Sequence, residues 1–256
     1  MMRLDRGRIR AVVRKELRDY RRKRSIVVAM AILPTIFLIQ PTLAVFLGSP
    51  SPPSDNYYAL PLLLLLLIPV IMPSTLAAYT VVGEREQGTL EPLLTTPIRR
   101  QEFILGKAAA VMIPTLALSY AVFGLFLAVV RLFANPAVAT EVFSQGPIFL
   151  ALVLFTPLLA GWAVVVGMAV SVRASELRVA QQLGMVASFP PLGIVVLLGV
   201  GVIHPSFTVA LVLAIGLAVI DLRALRLVSK MFDRERLVTG AKAVRSSKAG
   251  KGHGTG

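Results

Sequence analysis

The chain falls into six long apolar runs separated by short polar stretches, at approximately residues 26–48, 57–82, 108–133, 148–172, 179–203 and 207–228. A helix crossing a bilayer needs roughly 20 mostly apolar residues to cover about 30 Å of hydrocarbon. Each run meets that length. Inside lipid every backbone N–H and C=O must be paired within the protein, which only helices and closed barrels achieve. Continuous runs, rather than period-two alternation, select helices. The expectation is an all-α integral membrane protein with six transmembrane helices in residues 25–232. From Ser25 to Ile220 the interiors of these runs hold no charged side chain, Arg131 lying near the end of one. A charge at the bilayer centre would cost about 2.5–3.5 kcal/mol on insertion scales.

The basic residues fix an orientation. Of the 27 Lys and Arg, eleven precede the first run (Arg3 to Arg24), and four follow the second (Arg85, Arg99, Arg100, Lys107). Arg173 and Arg178 follow the fourth, and nine lie from Arg223 onward. The alternate loops, 49–56, 134–147 and 204–206, contain none. Lys and Arg collect on the cytoplasmic side of membrane proteins, so both termini are expected in the cytoplasm of a multi-pass protein of the plasma (inner) membrane. The formal charge of +14 is thereby assigned to membrane flanks facing anionic lipid, and no nucleic acid partner is expected. The basic N-terminus leads into a full span with no small-residue cleavage site, unlike a cleavable signal peptide. With no cysteine, disulfides and thiolate metal sites are excluded.

Prolines occur in or near most runs: Pro34, Pro41, Pro61, Pro69, Pro73, Pro114, Pro157 and the pair Pro190–Pro191. In lipid they are tolerated where neighbouring helices or Ser/Thr side chains take the freed carbonyls. The pair leaves open whether the fifth run is one helix or two half-helices. Residues 233–256 lose their apolar content and read as a basic, disordered tail.

Two polar segments carry more than flanking charge. Residues 1–24 are expected to form a basic amphipathic helix, with Ile9, Val12, Val13, Leu17 and Tyr20 on one stripe and Arg, Lys, Glu16 and Asp19 elsewhere. That pattern suits a helix lying in the membrane interface, and equally a plain positive flank. Residues 83–107 form the longest internal loop and hold Glu84, Glu86, Glu91 and Glu102, four of the chain's thirteen acids. Gly88 breaks the preceding helix and Thr89 offers an N-cap. Thr96 followed by Pro97 offers a second start, with Pro at the first helical position. A short helix near 90–95 results, with Leu90, Leu93 and Leu94 on one face. Such a face suits docking into a partner's groove, or packing against the spans.

This loop resembles the signature of type-2 ABC exporter permeases through Glu86, Gly88-Thr89-Leu90-Glu91, Leu93-Leu94, Thr96-Pro97, Glu102 and Gly106-Lys107. The run from Lys15 to Arg22, with Pro34 in the following span, is similar to that family's opening. The resemblance implies a transmembrane permease subunit of an exporter driven by a separate ABC ATPase present in two copies. The 83–107 loop would be the coupling segment, seated in the ATPase through Glu84, Glu86, Gly88, Thr89, Leu90, Glu91, Leu93, Leu94, Pro97 and Glu102. A second permease chain, as homodimer or heterodimer, would complete the path. The N-terminal helix would also lie against the ATPase. The chain departs from many members in having only His204-Pro205-Ser206 before its last run, so any re-entrant outer element must come from 190–206.

No Gly-x4-Gly-Lys-Ser/Thr pattern occurs, because Gly106-Lys107 lacks the earlier Gly and the following hydroxyl. The chain is thus expected to bind no cofactor and no metal and to be no enzyme itself, with ATP and Mg on the partner ATPase. His204 and His253, the two histidines, read as loop and tail residues. Asp221, beside Arg223 and Arg226, reads as an interfacial acid, solvated or paired. The competing reading is a non-ATP-driven facilitator or membrane-complex scaffold. It explains the spans and charges but not the loop.

Overall fold

The computed structural model describes residues 5–47, 58–86, 100–174, 176–200 and 208–228, and every regular element among them is helical. Helix α1 is Arg6–Arg22. The Asp5 carboxylate caps it by accepting the Gly7 N–H at 2.8 Å. Arg21 and Arg22 occupy its last turn, where the helix dipole favours cations. Lys23 is extended, and α2 (Arg24–Leu47) follows at once. Next come α3 (Ala59–Leu63), one 3-10 turn (Leu64–Leu66) and α4 (Leu67–Glu86). Pro69 has no N–H for the Leu65 carbonyl, and the chain tightens there into the shorter-range bonding of a 3-10 turn. After these stand α5 (Arg100–Phe133), α6 (Pro136–Ser144), α7 (Gly146–Arg173), α8 (Leu177–Gly199) and α9 (Thr208–Val228).

Six helices are long and apolar enough to cross a membrane: Ile26–Leu47, Leu60–Ala78, Gln101–Phe133, Gly146–Arg173, Leu177–Leu197 and Thr208–Val228. They coincide with the six apolar runs, with two differences. The third helix starts well before Ala108, because Glu102 and Lys107 are helical residues whose charges α1 neutralises (below). Residues expected as loop within 134–147 contain α6, where Asn135 accepts the Ala137 N–H, Pro136 sits at the start, and Val138, Ala139 and Val142 are buried.

Helix α4 is the axis of the bundle. In the span Leu60–Ala78, which runs through α3 and the 3-10 turn into α4, 72% of the apolar stretch is buried, against 19% for α2 and 11% for α9, so those two lie at the periphery. Helices α4, α7 and α8 meet where side chains are smallest. A Cβ on Gly167 of α7 would stand 2.7 Å from the Ala77 Cβ and 3.3 Å from the Ser74 backbone of α4. One on Gly184 of α8 would stand 3.5 Å from the Gly167 Cα. Between lipid-embedded helices such small residues permit the backbone approach that dispersion needs, since apolar burial alone drives little association there. One turn further, the Ser171 hydroxyl donates to the Ala78 carbonyl at 2.8 Å and accepts the Val82 N–H at 3.1 Å. It thus bridges two groups that an α-helix ordinarily pairs directly, and ties α7 into the ladder of α4.

Helix α8 is continuous through Pro190–Pro191, which settles the question the sequence left open. Pro191 has no N–H to give the Ala187 carbonyl. The indole N–H of Trp162 on α7 donates to that carbonyl instead, at 3.1 Å. The same device recurs on α7: Pro157 leaves the Val153 carbonyl free, and the Tyr120 hydroxyl of α5 donates to it at 3.0 Å. Neighbouring aromatic donors, rather than Ser or Thr, satisfy both proline-freed carbonyls.

Asp221 departs from its expected place. Its carboxylate points at Gly161 of α7, where a Cβ would stand 2.9 Å from Oδ2. Its Oδ1 is buried without a hydrogen-bond partner among the described residues, while Arg223 and Arg226 are exposed. Asp221 shares a helical face with neither Arg223 nor Arg226, so closeness in sequence did not bring it to them. Gly161 is twelve residues before Arg173, about 18 Å along α7.

Candidate coupling site at the basic end of the bundle

Two helices run into the 87–99 segment from opposite sides. Helix α4 continues past Ala78 to Glu86, and α5 begins at Arg100. Glu84 and Glu86 therefore lie in the last turns of α4. Gly88, Thr89, Leu90, Glu91, Leu93, Leu94 and Pro97 lie outside the described residues, as does the 233–256 tail. What the structure places is the mounting of the segment.

On the α4 side the mounting is the Ser171 bridge at Ala78 and Val82, with Ala78, Val82, Ala174 and Ala180 closing a small apolar cluster around it. On the α5 side it is α1. Glu102, in the first turn of α5, is 1% exposed. Its Oε1 accepts the Asp5 N–H at 2.9 Å, and its Oε2 lies 3.8 Å from the Arg8 guanidinium. One turn on, Gly106 lets α1 touch the α5 backbone: a Cβ there would stand 2.7 Å from both Cβ and Cγ1 of Val12. Next to it, Lys107 donates to the Glu16 carboxylate at 3.3 Å, with both side chains buried. The Phe103 ring centroid lies 4.9 Å from the Lys107 ammonium, a cation–π contact.

The structure modifies the expected stripe of α1. Val12 and Tyr20 are buried, while Ile9, Val13 and Leu17 are half-buried. The third buried residue of the helix is Glu16, which the amphipathic pattern places on the polar side. Its spacing gives the reason, because Val12, Glu16 and Tyr20 are successive i+4 positions on one face. That spacing was the available signal; polarity hid it. On its flank Val13 and Leu17, which also pack against the core around Val12 and Tyr20, border an open groove of about 730 Å³ walled by Arg10, Arg14, Arg18, Arg21 and Arg22. The placement of Gly106 and Lys107 inside a helix, one against Val12 and the other against Glu16, is also unlike a phosphate-binding loop, whose glycines leave backbone N–H groups open.

Glu102 thus sits among the expected coupling residues but faces inward, on α1. Glu16, Gly106 and Lys107 join it as residues that hold α1 to α5. Among curated proteins none matches the chain. The family model described as ABC-2 type transporter matches residues 7–218, a stretch that includes all of α1 but its first residue, α4, the 87–99 segment and α5. The chain belongs to the ABC-2 type transporter family, as a multi-pass membrane permease subunit.

Proposed function

We propose that this permease is the membrane half of an ATP-driven exporter, with the basic end of the bundle in the cytoplasm of the plasma membrane and the 87–99 segment seated in a separate ATPase. Two ATPase copies bind ATP and Mg, and two permease chains pair to form the path. The observation that carries the reading is the mounting of the segment. An α4 that extends past its apolar window and an α5 that starts in a charged, α1-braced turn hold both ends of the segment at one end of the bundle. The span of α5, Gln101–Phe133, is 33 residues long, about 50 Å against roughly 30 Å of hydrocarbon, which leaves length for its basic end to stand outside the bilayer. The positive-inside rule assigns that end to the cytoplasm.

In this reading Leu90, Leu93 and Leu94 are the apolar contacts with the ATPase, and Glu84, Glu86 and Glu91 its acidic flank. Gly88, Thr89 and Pro97 set the turns. Glu102 acts through α1 rather than by direct contact, since its carboxylate is covered. The stripe from Ile9 to Tyr20 holds α1 to α5, leaving the arginine side for anionic lipid or for the ATPase. The test is affinity co-purification with the ATPase, followed by Leu90→Ala and Glu91→Ala. A loss of about 1–2 kcal/mol per docking contact weakens association about fivefold to thirtyfold. Undiminished association in both variants refutes the docking, and absence of any ATPase partner favours a non-ATP-driven scaffold.

A further inference from the structure

We propose that Glu16 and Lys107 are positioning residues, a buried pin that makes α1 and the first turns of α5 move as one body during the ATP cycle. The proposal rests on the coupling reading above. The pair links residues 91 positions apart in sequence. The Lys107 side chain is 2% exposed and that of Glu16 is 8% exposed, with nitrogen and oxygen 3.3 Å apart. Lys15 also reaches Glu16 at 3.3 Å, but its side chain is 51% exposed and it belongs to the same helix. It can balance charge and cannot set where α1 sits on α5.

The surroundings make the pin selective for one register. Apolar contact is non-directional and tolerates sliding, whereas a desolvated ion pair is satisfied in one placement and leaves a costly buried charge in others. Gly106 precedes Lys107 and admits Val12 to a distance that any side chain would block. Phe103, one turn earlier, closes over the ammonium. At the other end of the contact, Glu102 takes the Asp5 N–H and faces Arg8. Charged contacts therefore bracket the apolar one along three turns of α1. Because α5 starts where the 87–99 segment ends, a push on that segment or on α1 enters the third span through the same two turns.

The chain has no cysteine, so spin labels can be placed on Gln101→Cys and Arg173→Cys, exposed positions at the basic ends of α5 and α7. The measurement is the distance between them in the liposome-reconstituted complex with its ATPase, with and without ATP plus vanadate. Wild type should show a nucleotide-dependent change. Glu16→Gln and Lys107→Met should each reduce that change about fivefold or more, while ATP hydrolysis by the assembled complex stays within about twofold. The swapped pair, Glu16→Lys with Lys107→Glu, should restore most of it. A full nucleotide-dependent change in either folded single variant overturns the pin. Should the single variants fail to insert, the swapped chain decides: insertion with the distance change supports the pin, and insertion without it overturns the pin. A wild-type complex that shows no change, or no ATPase partner, fails the coupling reading instead.

Discussion

Replacing Trp162 with Phe removes the donor to the Ala187 carbonyl while leaving an aromatic ring between α7 and α8. In lipid that carbonyl has no water to turn to, and Pro191 has no N–H to offer it. Interhelical hydrogen bonds in membrane proteins are worth about 0.6 kcal/mol on average and up to about 1.7 kcal/mol. The observed length of 3.1 Å is ordinary, so Trp162→Phe should lose about 1 kcal/mol from the bond, plus a packing term for the smaller ring. Pro191→Ala separates the two contributions. It restores a backbone N–H at residue 191, which takes the Ala187 carbonyl within α8. In that background Trp162→Phe should lose only the packing term. The double-mutant cycle, read by unfolding in mixed micelles followed by circular dichroism, should therefore give a coupling of about 0.6–1.7 kcal/mol. A coupling below about 0.3 kcal/mol, within the usual error of additivity, would refute the claim that Trp162 satisfies a proline-freed carbonyl. The Tyr120–Pro157 pair should behave with the same sign, through Tyr120→Phe.

The packing of α4 on α7 is tested by Gly167→Ala, whose new Cβ would fall about 0.7 Å inside the 3.4 Å at which ordinary contact begins. Both sides are helix backbone or its first carbon, so the loss should be about 1–3 kcal/mol; an unfolding midpoint equal to wild type would contradict the described approach. Asp221→Asn is expected to be neutral or stabilising by up to about 2 kcal/mol, since it removes a carboxylate oxygen that lacks a partner in a costly medium. A loss above about 1 kcal/mol in the same measurement would mean that the carboxylate is held by a stabilising interaction, contrary to its unpartnered oxygen.

The six spans and their common basic end were legible because hydropathy and charge are sums over local sequence. What failed to read through were effects of phase, size and partner. Glu16 is polar, so the amphipathic pattern placed it outside, although its i+4 steps from Val12 and to Tyr20 put it inside. Asp221 was grouped with Arg223 and Arg226 by distance along the chain, where the helical phase turns it toward Gly161. Prolines announced freed carbonyls, but nothing local says that Trp162 and Tyr120, on other helices, supply the donors. Gly167 and Gly184 carry no hydropathy signal, yet their lack of a Cβ sets how closely three helices approach. Of the expected coupling residues, Glu102 is the one whose side chain is described, and it faces α1. The leucine face at 90–94 rests on its motif and on the mounting of its two ends.

The most direct measurement is site-specific crosslinking from the cysteine-free chain, carrying Leu90→Cys with a thiol-reactive photocrosslinker, in native membranes. A product joining this chain to an ATP-binding subunit is expected. A crosslinker that reaches only lipid or this chain's own helices would contradict it.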